Sequence, residues 1–132
     1  MSEKQQPDGE AVTVSVPADV SFVSTLRLAT ASLAARCGLT VDDIEDLRLA
    51  VDEACSLLLP HASAGATLDT RFVLSPGRLA VDTAVRSSER AQLDRSGFAW
   101  TVLGALASTV DVRHDAGSLM ITVTKQSDSV AR

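Results

Sequence analysis

The sequence predicts an α+β fold: a two-layer α/β sandwich in which helices cover one face of a mostly antiparallel, mixed sheet. Three observations carry that expectation. Five strand-like segments stand at Ala11–Val16, Ala66–Leu74, Arg78–Val85, Val110–Arg113 and Leu119–Thr124, and two of them alternate clearly (Val12, Val14, Val16; Leu79, Val81, Thr83, Val85). Turn-forming residues, Ser75-Pro76-Gly77 and His114-Asp115-Ala116-Gly117, link neighbouring strands as hairpins. Between strands lie segments whose apolar residues recur at helical spacing, giving the order β-α-α-β-β-α-β-β.

Each element has its own local signals. Residues 1–10 are polar and read as a disordered leader. The first strand stops at Pro17. Asp19 or Ser21 can cap a helix over Phe22–Arg36 with the stripe Phe22, Leu26, Ala29, Leu33, and Gly38 follows as its terminating residue. The longest helix runs from Thr40 to Leu59. Val41, Ile44, Leu47/Arg48, Val51, Ala54/Cys55 and Leu58 form its core-facing stripe, and Asp42, Asp43, Glu45, Asp46, Asp52 and Glu53 fall mostly off it. Thr40 followed by Asp43 is a capping pattern, acids in the first turn suit the helix dipole, and Pro60 ends the run. Arg48 and Asp52, four apart, can pair on its surface. Arg86–Gly97 is polar and reads as a loop or lid before a helix over Phe98–Ser108 with Trp100, Val102, Leu103 and Leu106 apolar. One domain over residues 11–125 and a polar tail at 126–132 complete the reading.

Composition narrows the function. A chain of 132 residues is long enough to bury a core without disulfides or metals. With three Phe, one Trp and no Tyr, that core is built from Leu, Val and Ala. A net charge of −5 argues against nucleic acid or an anionic membrane as direct partner, and suits a basic protein. Cys37 and Cys55 form no CxxC and read as buried small hydrophobes; His61 and His114 have no ligands at metal spacing and read as surface residues. No apolar run approaches the roughly 20 residues a membrane span needs, so the chain is expected to be cytoplasmic.

The central helix carries a motif. Leu47-Arg48-Leu49-Ala50-Val51-Asp52-Glu53-Ala54-Cys55-Ser56 resembles the N-box of the histidine-kinase-like ATPase superfamily, most of all its anti-sigma-factor/serine-kinase branch of the RsbW and SpoIIAB type, where D-L-x-x-A-V-x-E-A-C-[ST]-N is typical. The element order agrees with that superfamily's Bergerat-type fold, so the resemblance extends over residues 11–125. It implies that Glu53 is a catalytic base and that the residue four positions on, an Asn in the family, helps hold the Mg²⁺ of ATP. Here that residue is Leu57, which offers no oxygen, so no metal ligand is assigned; Ser56 is rotated about 100° around the helix. Glu53 is thus either the family base or a solvated helix carboxylate.

The family's other nucleotide contacts are thin as well. No glycine lies between Arg78 and Ser96, where a D-x-G-x-G box is expected; only glycine allows such close approach of backbone to phosphate. Asp82 is one residue out of register with the family's adenine-binding Asp, Thr83 takes that place, and Asp82 reads as solvent-facing. Of the second glycine box only Gly97 remains, either as a phosphate contact at a helix N-terminus or as a plain loop-to-helix turn. The Ser96-Gly97-Phe98-Ala99-Trp100 wording is similar to divergent actinobacterial members that have lost these boxes.

The resemblance implies a homodimeric anti-sigma factor that sequesters an alternative RNA polymerase sigma factor and is countered by a STAS-domain anti-anti-sigma protein, a partner-switching arrangement typical of stress responses. Without the Mg²⁺ ligand and the glycines, ATP binding and serine-kinase activity are expected to be lost or weak. The alternative is an active ATP-dependent kinase that phosphorylates a STAS partner, with Glu53 as base and Gly97 at the phosphates.

Overall fold

A computed structural model describes residues 9–88, 92–115 and 117–127 of the chain. Five strands, β1 (Glu10–Pro17), β2 (Thr67–Ser75), β3 (Arg78–Arg86), β4 (Thr109–Asp115) and β5 (Ser118–Gln126), form one sheet in the order β1-β2-β3-β5-β4. All four pairings are antiparallel. Three helices, α1 (Val23–Arg36), α2 (Val41–Leu58) and α3 (Phe98–Leu106), form the second layer. This is the α+β sandwich expected from the sequence. The strands extend slightly past the expected domain limits, to Glu10 and Gln126; the rest of the expected leader and tail, residues 1–8 and 128–132, lies outside the described residues, as do 89–91 of the expected lid.

Period-two patterning fixes which face meets the helices. Leu68, Thr70, Phe72 and Leu74 of β2 are buried, as are Leu79, Val81, Thr83 and Val85 of β3 and Leu119, Ile121 and Val123 of β5. They pack under Leu47, Ala50, Val51, Ala54, Cys55 and Leu58 of α2, the helix at the centre of the layer. Cys55 is fully buried, and desolvation, with a smaller contribution from Asp52, pushes its thiol up to about 12. Cys37 is also buried and its thiol is raised, again chiefly by desolvation.

The helix ends follow local chemistry. Asp19 Oδ1 accepts from the Ser21 N–H and Oγ (2.9 and 2.8 Å), starting a 3₁₀ turn, Val20–Phe22, that runs into α1. Thr40 Oγ1 accepts the Asp43 N–H at 3.1 Å to start α2. At the end of α1, Gly38 takes φ 80°, and the Leu39 N–H returns to the Ala34 carbonyl with Leu39 buried.

Three details differ from the sequence reading. Pro60 does not stop the chain's helical course: it sits at the start of a 3₁₀ turn, Leu59–His61, where a missing N–H costs little. The third helix ends at Leu106 rather than Ser108, because Ala107 turns extended and its N–H caps onto Leu103. Arg48 pairs with Glu45 (2.9 Å), not Asp52, and Asp52 faces Arg27 of α1 (3.8 Å).

Candidate functional site around Glu53

Helix α2 lies between two neighbours. Its Asp52 side meets α1 through Arg27, and its Asp46 side is held by Lys125 of β5. The Lys125 ammonium donates to Asp46 Oδ2 (3.2 Å) and to the Leu106 carbonyl at the end of α3 (2.9 Å), so one cation joins α2, α3 and the sheet. Glu53 lies seven residues after Asp46, two turns on, and therefore shares this α3-facing side. It is partly buried. The motif's carboxylate thus lies on the side of α2 that faces α3.

Leu57 follows one turn later on the same side. It is half-buried and packs against the core, as do Leu93 and Trp100. The motif's amide oxygen is therefore replaced by a side chain committed to apolar packing. Ser56 is exposed and opens instead onto a shallow cleft lined by Asp19, Val20 and Pro60, so it does not substitute.

Gly97 is the N-cap of α3, with φ −79° and ψ 167°, a conformation open to any residue. No side chain caps this helix start. Asp94 stands against it: a Cβ at position 97 would lie 3.4 Å from Asp94 Oδ2. Asp94 Oδ1 accepts from the Ser96 Oγ (2.6 Å) and N–H (3.0 Å), and these bonds hold its carboxyl below the ordinary 3.8. An exposed carboxylate thus stands beside the head of α3. Next to it the Arg95 guanidinium lies 5.7 Å from the centroid of the Trp100 ring.

On the sheet, Asp82 points away from the helices. It accepts from Thr122 Oγ1 (2.8 Å) and lies 3.9 Å from Arg71. Thr83 faces the helices and is buried beside its cross-strand partner Thr70, whose Oγ1 has no hydrogen-bond partner among the described residues. An adenine-binding carboxylate is thus absent from that inward position.

Residues 16–125 match the histidine kinase-like ATPase domain. The chain belongs to this family. Within it, the chain is 40% identical over 73 residues to the serine-protein kinase RsbW of Halalkalibacterium halodurans, covering 54% of this chain and 45% of that protein. It is also 40% identical over 53 residues to the serine-protein kinase RsbW of Bacillus thuringiensis, covering 40% of this chain and 33% of that protein. The chain thus spans less than half the length of these relatives. Among solved structures, that of the RsbU and RsbW domains of Rv1364c from Mycobacterium tuberculosis superposes with a TM-score of 0.71 at 20% identity, covering 89% of this chain and 32% of that one. At that identity the likeness shows a shared fold.

For this family member, the structure brings Glu53 and Leu57 together on one side of α2 and places Gly97 at the head of α3. Sequence reasoning missed Asp94, Lys125 and the Thr70/Thr83 pair. An Asp two residues before a Ser is a known turn signal and could have marked Asp94. Nothing local marks a lysine as the link between three elements.

Proposed function

We propose that this domain is an anti-sigma factor that works by direct capture: it binds an alternative sigma factor, keeps it from RNA polymerase, and releases it when a STAS-domain anti-anti-sigma protein competes. ATP binding and kinase activity are lost or weak in this reading. The observation that carries it is Leu57, packed into the core at the position where the family's N-box places a Mg²⁺ ligand. Phosphoryl transfer needs the cation to bridge phosphate oxygens and neutralise developing charge, and the Asp94 carboxylate beside Gly97 adds negative charge where positive is required. What remains is an acidic surface on α2, with Asp42 and Glu45 exposed and Asp43, Asp46, Asp52 and Glu53 half-buried, suited to a basic partner. A homodimer is part of this reading. The test is capture of host proteins by the tagged full chain with and without Mg·ATP, read by mass spectrometry. A sigma factor retained equally in both conditions supports capture without nucleotide. Retention of neither a sigma factor nor a STAS protein in either condition overturns it.

A second reading, an active serine kinase, is favoured by one feature: Glu53 keeps the base position on the groove side of α2. Labelled phosphate entering a STAS partner, and lost in Glu53→Gln, would establish it.

A further inference from the structure

Helix α3 has an unusual composition for its exposure. From Phe98 to Leu106 it reads Phe-Ala-Trp-Thr-Val-Leu-Gly-Ala-Leu, without one charged residue and with Thr101 as its single hydroxyl. A helix that is apolar all round is normally enclosed, and a surface helix normally turns a polar face to water. Yet only Leu103 of these nine residues is fully buried. Trp100 and Leu106 are half-buried against the core, whereas Phe98, Thr101, Gly104 and Ala105 are exposed, Phe98 at 83%. Phe98, Thr101 and Ala105 stand at i, i+3 and i+7 and so form one ridge, with half-buried Val102 beside it. The neighbouring helix supplies the charge that α3 lacks. On the side of α2 that faces α3, Asp42, Asp46, Leu49 and Glu53 follow at i, i+4, i+7 and i+11, three carboxylates around a leucine that is 45% exposed. Lys125, which reaches this side, is held by Asp46 and the Leu106 carbonyl.

We infer that the exposed ridge of α3 and this stripe of α2 are together the docking surface for a basic amphipathic helix of a partner protein. The partner's apolar side lies along Phe98, Thr101 and Ala105, and its lysines or arginines meet Asp42 and Glu53. The inference rests on the capture reading above and names the surface that captures. Charge selects the occupant. A second copy of this chain brings a net charge of −5 and the same acidic stripe, so like charges would be opposed. Nucleic acid would set phosphates against carboxylates. An uncharged apolar segment would cover the ridge but leave the carboxylates desolvated without a counter-charge. A basic amphipathic helix meets both needs at once: it removes α3 from water and pairs the acids beside it. The exposed Phe98 ring is the kind of aromatic anchor on which binding energy concentrates, and Gly104 and Ala105 offer no bulk to hold a partner off. From Asp42 to Glu53 the stripe runs about 16 Å along the helix axis, so a partner helix of about three turns spans it.

The surface carries its own reporter. Trp100 is the single tryptophan of a chain without tyrosine, and it lies on α3. The probe is a synthetic peptide of leucine and lysine alone, patterned as an amphipathic helix. Titrated into the full chain, it is expected to bind by calorimetry and to shift Trp100 emission along the same curve. A leucine–glutamate peptide of the same pattern is expected to do neither. Phe98→Ser is expected to raise the dissociation constant of the leucine–lysine peptide at least tenfold and Glu53→Gln at least threefold, with unchanged circular dichroism melts. Their matched controls are Leu28→Ser, an exposed leucine on α1, and Asp111→Asn, an exposed acid on β4; each is expected to change it less than twofold. No binding of the leucine–lysine peptide, binding that leaves Trp100 emission still, or equal losses in the α3 variants and their controls overturns the surface. A sigma factor captured equally by the native chain and by Phe98→Ser also overturns it, while the anti-sigma reading stands. Peptide binding at α3 with no sigma factor captured by the native chain supports the surface and ends the anti-sigma reading.

Discussion

Glu53 and Leu57 stand one turn apart on the same side of α2, one keeping the motif's carboxylate and the other discarding its amide. Restoring the amide with Leu57→Asn supplies an oxygen but not the glycines, and it leaves Asp94 beside Gly97. We expect no tight Mg·ATP binding by titration calorimetry, and a stability loss of about 1–2 kcal/mol in urea unfolding because a half-buried leucine leaves the core. Micromolar nucleotide affinity in that variant would show that the rest of the groove is intact. Asp94 gives a second residue-scale prediction. Its two bonds from Ser96 lower its folded value below the ordinary 3.8, so what they contribute to this turn is fully present above that ordinary value. It is lost as pH falls through the lower, folded value. The Ser96 amide resonance followed by NMR should titrate with a midpoint below 3.8; a midpoint at or above it would mean the carboxylate does not accept these bonds in solution.

The elements were legible because their signals are local. Val12, Val14 and Val16 alternate before a proline, and Thr40 caps a run whose apolar stripe repeats at helical spacing. Ser75-Pro76-Gly77 puts proline and then a glycine at φ 72° in the order a type II turn requires. What escaped the sequence is set by tertiary neighbours. Arg48 had acids at both Glu45 and Asp52, and only the placement of Arg27 on α1 decides which it takes. Of the candidate site, Glu53 and the loss at Leu57 could be read from one motif, but the carboxylate against Gly97 depends on how the 92–97 turn folds back. Lys125 is the extreme case, since its two partners lie on α2 and at the end of α3. Replacing it with Met removes both bonds and leaves the last turn of α3 untethered. We expect Lys125→Met to cost about 1–2 kcal/mol in urea unfolding and to speed amide exchange in α3 more than in α1. Uniform exchange across both helices would deny Lys125 its linking role.

At the scale of the molecule, the charge is unevenly spread. Acids crowd α2, while the β1 and α1 flank has almost none. If the acidic surface takes a basic sigma factor, ionic strength tests it. Raising salt from 50 to 500 mM should weaken sigma-factor capture severalfold, as charges beyond a Debye length are screened. A capture unaffected by salt would remove the acidic face from the account.

Gly77, described above as a turn residue, has a role in time as well as in space. Its N–H donates to the Cys37 carbonyl at the end of α1 (2.7 Å), and its carbonyl accepts the Ser127 N–H just after β5 (2.8 Å). A turn that belongs to a local hairpin thus takes its backbone partners from a helix end far upstream and from Ser127, just past β5. The Gly77 amide is buried and is protected only when the whole topology has assembled. Its hydrogen exchange rate therefore reports global opening of the protein rather than fraying of the hairpin.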